Sequence, residues 1–203
     1  QRFQDWLAAQ WHGEMAYLQR NAPKRLDPQQ VLAGAQNIIT LAASYAREQD
    51  EVRRASDPQR EGRVEAANEG SGTGEAPPRG TAGVVARYAR FADYHAVLGA
   101  RLRGLTEFVN RIGGEGTRSL WYVDTGPLLE RDLAQRAGLG FIGKHTNLIS
   151  RRLGNWFFLA EIITTLELEP DEPEKNRCGS CTRCLSACPT QAIRAPFQLD
   201  ARR

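Results

Sequence analysis

The sequence predicts a mixed fold of class α/β or α+β. Two observations carry this prediction: a long amphipathic helix pattern at 93–113, and apolar, β-branched runs at 37–45 and 156–168 that are typical of buried strands. Because helical and strand patterns alternate along the chain, we expect helices packed on a sheet. The 203 residues, 41% hydrophobic and 25% charged, are enough to bury a core and have the composition of a soluble globular protein.

The first 46 residues contain two helix patterns and one strand pattern. RFQDWLAAQ at 2–10 predicts a helix with its large apolar residues on one side. DPQQVLAGA at 27–35 opens with Asp-Pro, a signal for the start of a helix. NIITLAASY at 37–45 predicts a buried strand.

The segment 47–83 differs in composition from the rest of the chain. It is rich in Gly, Pro, Glu and Arg and contains almost no large apolar side chain. Such a segment cannot bury enough apolar surface to offset its ordering entropy. We interpret it as a disordered surface insertion within one domain, with a domain boundary as the alternative.

Helix and strand patterns resume after the insertion. The pattern at 93–113 predicts a helix, SLWYVDT at 119–125 a strand, the segment 126–140 a short helix that stops at Gly138, and the run at 156–168 another strand. The residues that follow, PDEPEK, are typical of a linker. The predicted apolar face of the first of these helices consists of Leu98, Leu102, Leu105, Val109 and Ile112.

All four cysteines lie in one short motif, C-x2-C-x2-C-x3-C-P, formed by Cys178, Cys181, Cys184, Cys188 and Pro189. This is the bacterial ferredoxin spacing for [4Fe–4S] clusters, in which the first three cysteines bind one cluster and the fourth binds the other. Zinc is disfavoured because zinc sites usually use two Cys pairs a dozen or more residues apart. Disulfides are disfavoured by the short spacing and by a cytosolic location.

Four cysteines are too few for two such clusters, which together need eight. Either one cluster forms with all four cysteines, or the sequence is a fragment that stops inside its ferredoxin module. We expect the second, because the sequence lacks an initiator Met and ends abruptly at ARR.

Charge and hydropathy narrow the function classes. The net charge of +3 does not by itself indicate a nucleic-acid partner. No apolar run is long enough to span a membrane, and QRFQDWLAAQ at the N-terminus lacks the pattern of a secretory signal. These features predict a cytoplasmic protein that does not bind membranes.

Asp124 is the candidate functional residue before the cysteine motif. It follows a predicted strand and precedes a predicted helix, a position at which ligands bind at the edge of a sheet. Capping the N-terminus of that helix is an equally good interpretation, because Asp is among the best capping residues.

Six motifs taken together resemble one enzyme family, that of epoxyqueuosine reductase. Only the cysteine motif is specific by itself, but the order of all six is highly specific and covers nearly the whole chain outside 47–83. The motifs are HGEM (12–15), KRLDP (24–28), ARYARFADYH (86–95), DTGPLLER (124–131), GLGFIGKHTNLI (138–149) and CGSCTRCLSACPTQAI (178–193).

The resemblance implies a fold and an activity. The fold is α+β, with a cobalamin-binding α/β sandwich domain at 1–169 and the start of a ferredoxin-like two-[4Fe–4S] module at 170–203. The activity is the reduction of epoxyqueuosine to queuosine at the wobble position of tRNA, with electrons passing from the clusters to cobalamin. The implied proton donor is Asp124. The implied partners are tRNA carrying epoxyqueuosine and an electron donor such as flavodoxin or ferredoxin, acting on a monomer.

The same resemblance implies a set of cobalamin contacts. For residues 93–95 the alternative is a polar start to the following helix with Asp93 as its cap, and for His145 and His95 the alternative is a surface position. The lone His12 is expected to be structural. The implied contacts are Arg25, Arg87, Tyr88, Asp93, Tyr94, His95, Asp124, Lys144, His145, Asn147 and Leu148.

Two other functions remain open on the sequence. A reductive dehalogenase would use the same two cofactor types on an organohalide, although the export signal and the Tyr–Lys/Arg acid motif usual in those enzymes are not found in this sequence. A ferredoxin-like electron carrier would use only the clusters. Cobalamin binding separates the carrier from the two enzymes, and activity on epoxyqueuosine-containing tRNA separates the reductase from the dehalogenase.

Overall fold

A computed structural model describes residues 2–46 and 85–203, so the predicted insertion at 47–83 lies outside the described residues. The helices are α1 (Arg2–Ala8), α2 (Ala16–Arg20), α3 (Ala22–Leu26), α4 (Tyr94–Gly113), α5 (Glu130–Arg136) and α6 (Arg183–Ser186), with 3-10 turns at Pro28–Gln30 and Arg87–Arg90. The strands are β1 (Asn37–Ser44), β2 (Ser119–Tyr122), β3 (Phe141–Ile142), β4 (Leu148–Ile149), β5 (Phe157–Thr164), β6 (Ile193–Ala195) and β7 (Gln198–Leu199).

The main sheet has three strands in the order β1-β5-β2, and both pairings are antiparallel. The hairpins β3–β4 and β6–β7 are antiparallel as well. Of the two classes left open by the alternation of helices and strands, the structure is therefore α+β. The central strand β5 places Glu161 opposite Thr40 of β1 on one side and Tyr122 of β2 on the other.

The sheet buries both of its faces, because α4 covers one and α5 the other. On the α4 face, Leu98 and Leu102 pack against Ile162 of the central strand. On the α5 face, Leu128 packs with Ile163. Successive side chains of a strand alternate between faces, so Glu161 lies on the same face as Ile163, beneath α5.

Helix α4 confirms the predicted amphipathic helix, and the Asp93 side chain caps it by accepting a hydrogen bond from the His95 N–H at 2.9 Å. One residue of the predicted apolar face is wrong: Ile112 is 57% exposed. Thr106 is buried instead. The buried stripe is rotated around the helix axis toward Thr106, and Ile112 falls outside it.

Two predicted helices are shorter than expected. The segment 27–35 forms only a 3-10 turn at Pro28–Gln30, because the Gln29 side chain bonds the backbone of Gly34 and Ala35 and closes the segment into a compact loop. The helix predicted at 126–140 begins at Glu130, after Pro127 rather than around it. Its predicted end is confirmed, since Gly138 has a positive φ of 70°. A Cβ there would lie 2.8 Å from a backbone oxygen.

Residues near position 200 form hydrogen bonds with the N-terminal segment of the chain. The Trp6 indole donates to the Leu199 carbonyl at 2.6 Å, and the Ala201 N–H donates to the Trp11 carbonyl at 2.8 Å. His12 is buried beside the Trp6 ring, at 5.9 Å between ring centroids, as expected for a structural histidine. Among the helices that the structure describes, none combines the length and the apolar character needed to cross a membrane.

Candidate active site and cysteine segment

Asp124 lies in the loop after β2 and has a left-handed backbone with φ of +56°. Its side chain is exposed to solvent. The capping alternative is wrong, because α5 begins six residues later at Glu130 with Leu129 at its cap position. Left-handed backbone in a non-glycine residue is uncommon and clusters at functional sites, although Asp tolerates it better than most residues.

Tyr94 fixes the carboxylate of Asp124. Its phenol donates a hydrogen bond to Asp124 Oδ2 at 2.8 Å. The Tyr94 ring stacks on Phe158, with 4.2 Å between centroids and 7° between planes, and on His95 at 4.0 Å. Burial, and then the hydrogen bond to Asp124, raise the pKa of Tyr94, so the phenol remains a donor. The first residue of α4 thus holds the candidate acid at the end of β2.

Two further carboxyl groups lie near Asp124. Glu161 is completely buried on the central strand, and burial, followed by the nearby carboxyls of Glu130 and Asp124, raises its pKa to about 9. Burial and the Asp124 charge raise the pKa of Glu130 to about 7, although the Asp124 N–H, Arg25 and Arg131 oppose the rise. Sequence reasoning missed both glutamates. The signal that could have revealed Glu161 is a lone acid inside the apolar run FFLAEIITT.

A cavity of about 650 Å³ opens beside Asp124. Arg25 reaches it from α3, and its guanidinium donates to the Leu128 carbonyl in the loop before α5. The Arg25 Nε is buried and has no hydrogen-bond partner among the described residues. The cavity is lined by Tyr17, Asn21, Lys24, Arg25, Gln30, Val31, Tyr122, Asp124, Thr125 and Pro127.

The predicted contacts at 87–95 form one aromatic surface near Asp124. The Arg87 guanidinium lies over the Trp156 ring at 4.4 Å, and Tyr88 makes an edge contact with the Tyr94 ring at 6.4 Å. Asp93 and His95 pair with each other at 2.8 Å, and this hydrogen bond lowers the pKa of Asp93. The structure therefore brings Tyr88 and Tyr94 to the site and uses Asp93 as the cap.

The predicted contacts at 144–148 lie in the loop of the β3–β4 hairpin. The His145 Nδ1 accepts the Asn147 N–H at 3.1 Å, which keeps this side chain inside its own loop. Arg131 of α5 donates to the Thr146 carbonyl and to the Asn147 Oδ1, at 2.8 and 3.0 Å. Leu148 is only 5% exposed, so its side chain belongs to the core. Arg131 anchors this loop and was missed from the sequence.

Lys144 connects that hairpin to the cysteine segment. Its ammonium donates to the carbonyls of Gly179 and Cys181, both at 2.8 Å, and its backbone N–H points at the Cys178 sulfur at 3.4 Å. The Lys144 side chain therefore lies on the cysteine loop.

The cysteine segment presents four free thiols. Backbone N–H groups, first that of Ile193, and the Thr190 hydroxyl lower the pKa of Cys188 and favour its thiolate. N–H groups aimed at cysteine sulfurs are the usual surroundings of iron–sulfur ligands, so this segment fits the predicted cluster. No three His, Cys, Asp or Glu side chains within 2–46 and 85–203 are placed to hold a single metal ion. A cubane binds each thiolate at a different iron, so its ligands need not converge on one point.

Comparisons with known proteins agree with this geometry. The family model described as "Epoxyqueuosine reductase QueG, DUF1730" matches residues 25–125, which include Arg25, Tyr94 and Asp124. The model described as "4Fe-4S double cluster binding domain" matches residues 177–203, which include all four cysteines.

Curated and solved relatives extend the match to the whole chain. The epoxyqueuosine reductase of Gloeobacter violaceus is 42% identical over 203 residues, covering 100% of this chain and 54% of that protein. A crystal structure of epoxyqueuosine reductase with an epoxyqueuosine-modified tRNA-Tyr stem loop has a TM-score of 0.68 and 34% identity, covering 89% of this chain and 42% of the other.

A third relative is the Bacillus subtilis epoxyqueuosine reductase, in a structure that has an aspartate-bearing catalytic loop swung out of the active site. Its TM-score is 0.68 at 33% identity, covering 90% of this chain and 42% of the other. The chain spans about half the length of the curated relatives that it matches. On sequence identity along its full length, on both family models and on fold, the chain belongs to the epoxyqueuosine reductase family.

Proposed function

We propose that this chain carries the centre that reduces epoxyqueuosine to queuosine at the wobble position of tRNA, with Asp124 as the proton donor. One observation carries the proposal: the Asp124 carboxyl is held on a left-handed turn by the Tyr94 phenol, beside a cavity of about 650 Å³. A carboxyl group so placed can give a proton to an epoxide oxygen. The tRNA stem loop bound to a solved relative supports the choice of substrate.

The chain's own residues orient the acid. Tyr94 fixes one oxygen of Asp124 and leaves the other free to face the substrate. The ring of Tyr94, stacked on Phe158, cannot rotate without losing that contact. Arg25 and Lys24 give the cavity positive charge, suited to the phosphates of a tRNA or of a cofactor.

The donor set at the cavity would suit cobalamin, whose corrin carries amide side chains and whose nucleotide tail carries a phosphate. The buried Arg25 Nε has no partner among the described residues, and the backbone of the 143–147 loop is held rigidly by Arg131. When bound, cobalamin would supply a low-valent metal as the reductant and nucleophile. We propose that the residues holding it are Arg25, Arg87, Tyr88, Tyr94, Asp124, His145 and Asn147, with Lys144, Leu148, Asp93 and His95 contributing through their backbone or through the helix and loops that they stabilise.

The cysteine segment would supply single electrons. We propose that Cys178, Cys181 and Cys184 bind one [4Fe–4S] cluster and that Cys188 is a ligand of a second, within a unit at 170–203 that follows a cobalamin-binding domain at 1–169. The match to a double-cluster domain at 177–203 supports this division. A flavodoxin or ferredoxin is the proposed electron donor, and a cytoplasmic monomer the proposed form.

An anaerobic titration of the reconstituted chain with cob(II)alamin, read by electron paramagnetic resonance, tests the proposal at its first step. We expect saturation near one cobalamin per chain, and then queuosine formation on epoxyqueuosine-containing tRNA with a chemical reductant. Binding of cobalamin with activity only on organohalides would favour the dehalogenase alternative. Iron retention without cobalamin binding would favour the electron carrier.

A further inference from the structure

The position of Lys144 on the cysteine loop is a feature that the proposed function leaves unexplained. Its ammonium donates to the carbonyl oxygens of Gly179 and Cys181, both at 2.8 Å. Its backbone N–H donates to the sulfur of Cys178 at 3.4 Å. One residue of the β3–β4 hairpin therefore contacts the loop at Cys178, at Gly179 and at Cys181.

Lys144 is itself held in place by neighbouring segments. Its carbonyl oxygen accepts the Phe197 N–H at 2.9 Å, from the turn between β6 and β7. Asn176 also joins the hairpin to the cysteine loop: its side-chain amide donates to the Ile142 carbonyl at 2.7 Å, and its Oδ1 accepts the Cys178 N–H at 3.0 Å. Because several hydrogen bonds connect the two segments, the Lys144 charge keeps a fixed place against the cysteine loop.

The positive charge of Lys144 is not neutralised by a carboxylate in the described part of the chain, since none of the ion pairs there involves this residue. Arg177, which directly precedes the motif, is instead paired with Glu174 at 3.0 Å. Arg183 of α6 is exposed, so water and salt screen its charge. Lys144 is half-buried, and its charge is therefore screened less at the cysteine loop.

Two effects raise the reduction potential of an iron–sulfur cluster: hydrogen bonds to its cysteine sulfurs and a positive charge nearby. Both stabilise the reduced form, because reduction adds negative charge to the irons and to their sulfur ligands. Lys144 supplies both, through its backbone N–H at Cys178 and its ammonium at the Cys181 carbonyl. We propose that Lys144 sets the reduction potential of the cluster that Cys178 and Cys181 bind.

The proposal rests on the assignment of these cysteines to a [4Fe–4S] cluster. The affected step is the uptake of one electron by this cluster from the proposed flavodoxin or ferredoxin. The donor is oxidised by one electron and the cluster is reduced by one, with no bond broken and no proton moved. Lys144 acts through the cysteine loop, as a positioning residue, and makes the cluster easier to reduce.

Potentiometric titration of the full chain with reconstituted clusters, read by electron paramagnetic resonance, tests the proposal without turnover. Lys144→Gln removes the charge and keeps an N–H donor, and Lys144→Arg keeps the charge. The control is Lys175→Gln, which alters an exposed lysine of the linker. We expect the midpoint potential of Lys144→Gln to fall by about 59 mV, the equivalent of a tenfold shift in a one-electron equilibrium. Lys144→Arg and Lys175→Gln should stay near the wild-type value.

Iron counted in the same samples separates this effect from loop stability. A wild-type midpoint in Lys144→Gln would overturn the proposal even if that variant retained less iron, because Lys144 would then only hold the loop. Equal shifts in Lys144→Gln and Lys144→Arg would overturn it as well, because geometry rather than charge would then set the potential.

A second measurement removes the charge after the cluster has formed, so it does not depend on assembly of a neutral variant. The cluster-loaded wild type and Lys144→Arg are treated with acetic anhydride, which acylates lysine amines and leaves the guanidinium charged, and mass spectrometry follows the acetyl group on Lys144. We expect the midpoint potential to fall only in the wild type. The same fall in both proteins, or in neither, would overturn the proposal.

The outcomes also separate this proposal from the proposed function. A wild-type chain that binds no iron would overturn the cluster assignment and the role of Lys144 with it. Clusters that form and shift as expected, in a chain that makes no queuosine, would contradict only the proposed reduction of epoxyqueuosine.

Discussion

The phenol of Tyr94 and the carboxylate of Asp124 meet at 2.8 Å, joining the first turn of α4 to the loop that follows β2. These residues are 30 positions apart in the sequence. The contact restrains a left-handed backbone at Asp124 that few residues adopt. It therefore defines the position at which the proposed acid works, and several expectations follow from it and from its neighbours.

Replacing Asp124 with Asn should slow turnover strongly while cobalamin still binds. Asn tolerates the φ of +56° and its amide oxygen still accepts the Tyr94 hydroxyl, so the loop is kept and only the acid is lost. We expect queuosine formation to fall by about 10²–10⁴-fold. The control is Asp132→Asn, which alters an exposed ion pair with Arg136. Retained turnover in Asp124→Asn would mean that the proton comes from another group.

Tyr94→Phe should lower the rate through Asp124. The ring stays stacked on Phe158, but the hydrogen bond to the carboxylate is gone. We expect kcat to fall about tenfold, the equivalent of about 1.4 kcal/mol, with cobalamin affinity little changed. In the Asp124→Asn background the same change should cause no further loss, which a double-mutant cycle measures. Additive losses would show that Tyr94 acts independently of Asp124.

Lys144→Met should loosen the cysteine loop. The change removes the two bonds from the Lys144 ammonium to the carbonyls of Gly179 and Cys181 but keeps most of the apolar stem. We expect fewer iron atoms per chain after reconstitution, and faster thiol alkylation in the cluster-free chain. Lys175→Met, an exposed lysine of the preceding linker, is the matched control. Equal alkylation rates in both variants would show that the loop does not need Lys144.

Two glycine substitutions should change stability in opposite directions. A Cβ at Gly140 would lie 2.5 Å from the Ile149 carbonyl oxygen, so Gly140→Ala must displace the β3–β4 hairpin and should cost about 1–3 kcal/mol. A Cβ at Gly104, inside α4, would meet nothing within 4 Å, so Gly104→Ala should stabilise by about 0.4–1 kcal/mol. Urea denaturation midpoints at constant slope measure both changes. Midpoints that moved in the same direction would contradict this pair of predictions.

Glu161 should make the chain less stable as pH rises. Folding raises its pKa from 4.5 to about 9, so the folded state binds one more proton than the unfolded state between these values. The contribution of Glu161 to stability is thus full below pH 4.5 and is lost as pH rises through the folded pKa, by at most about 1.4 kcal/mol per pH unit.

Glu161→Gln should remove that dependence, because the amide stays neutral at every pH. We expect the free energy of unfolding of the variant, relative to the wild type, to increase steadily from pH 5 to pH 9 in urea titrations. A constant difference across this range would show that Glu161 is ionised in the folded protein.

Sequence reasoning predicted the longer elements, in which the apolar pattern recurs several times. Helix α4 and strand β5 extend over several turns or pleats, so their apolar periodicity is visible without the fold. The strands β3, β4 and β7 have two residues each, too few to show any alternation, and they were missed. The alternation of helices and strands alone left the class as α/β or α+β; the family resemblance implied α+β, and the antiparallel strand pairings confirm it.

The residues of the candidate site also differ in whether the sequence alone could identify them. Asp124 and the four cysteines were identifiable because their spacing or position along the chain is itself the signal. Glu130 and Glu161 were not, because their effect depends on burial and on neighbours brought by other strands and helices. Lys144 was predicted from the resemblance to contact cobalamin, but its side chain contacts the cysteine loop, a partner more than 30 residues away in sequence.

The bond from the Trp6 indole to Leu199 spans 193 positions, and it has a consequence for synthesis of the protein. Helix α1 has seven residues, too few to persist in water without a partner. It emerges from the ribosome well before residues 199–201, and it must wait for them before it can dock. Residues 190–193, which come shortly before, supply the hydrogen-bond donors that surround the Cys188 sulfur. We therefore expect α1 to dock and Cys188 to become ordered at the same late stage of synthesis. Assembly of iron on the nascent chain is therefore expected to follow synthesis of this segment rather than accompany it.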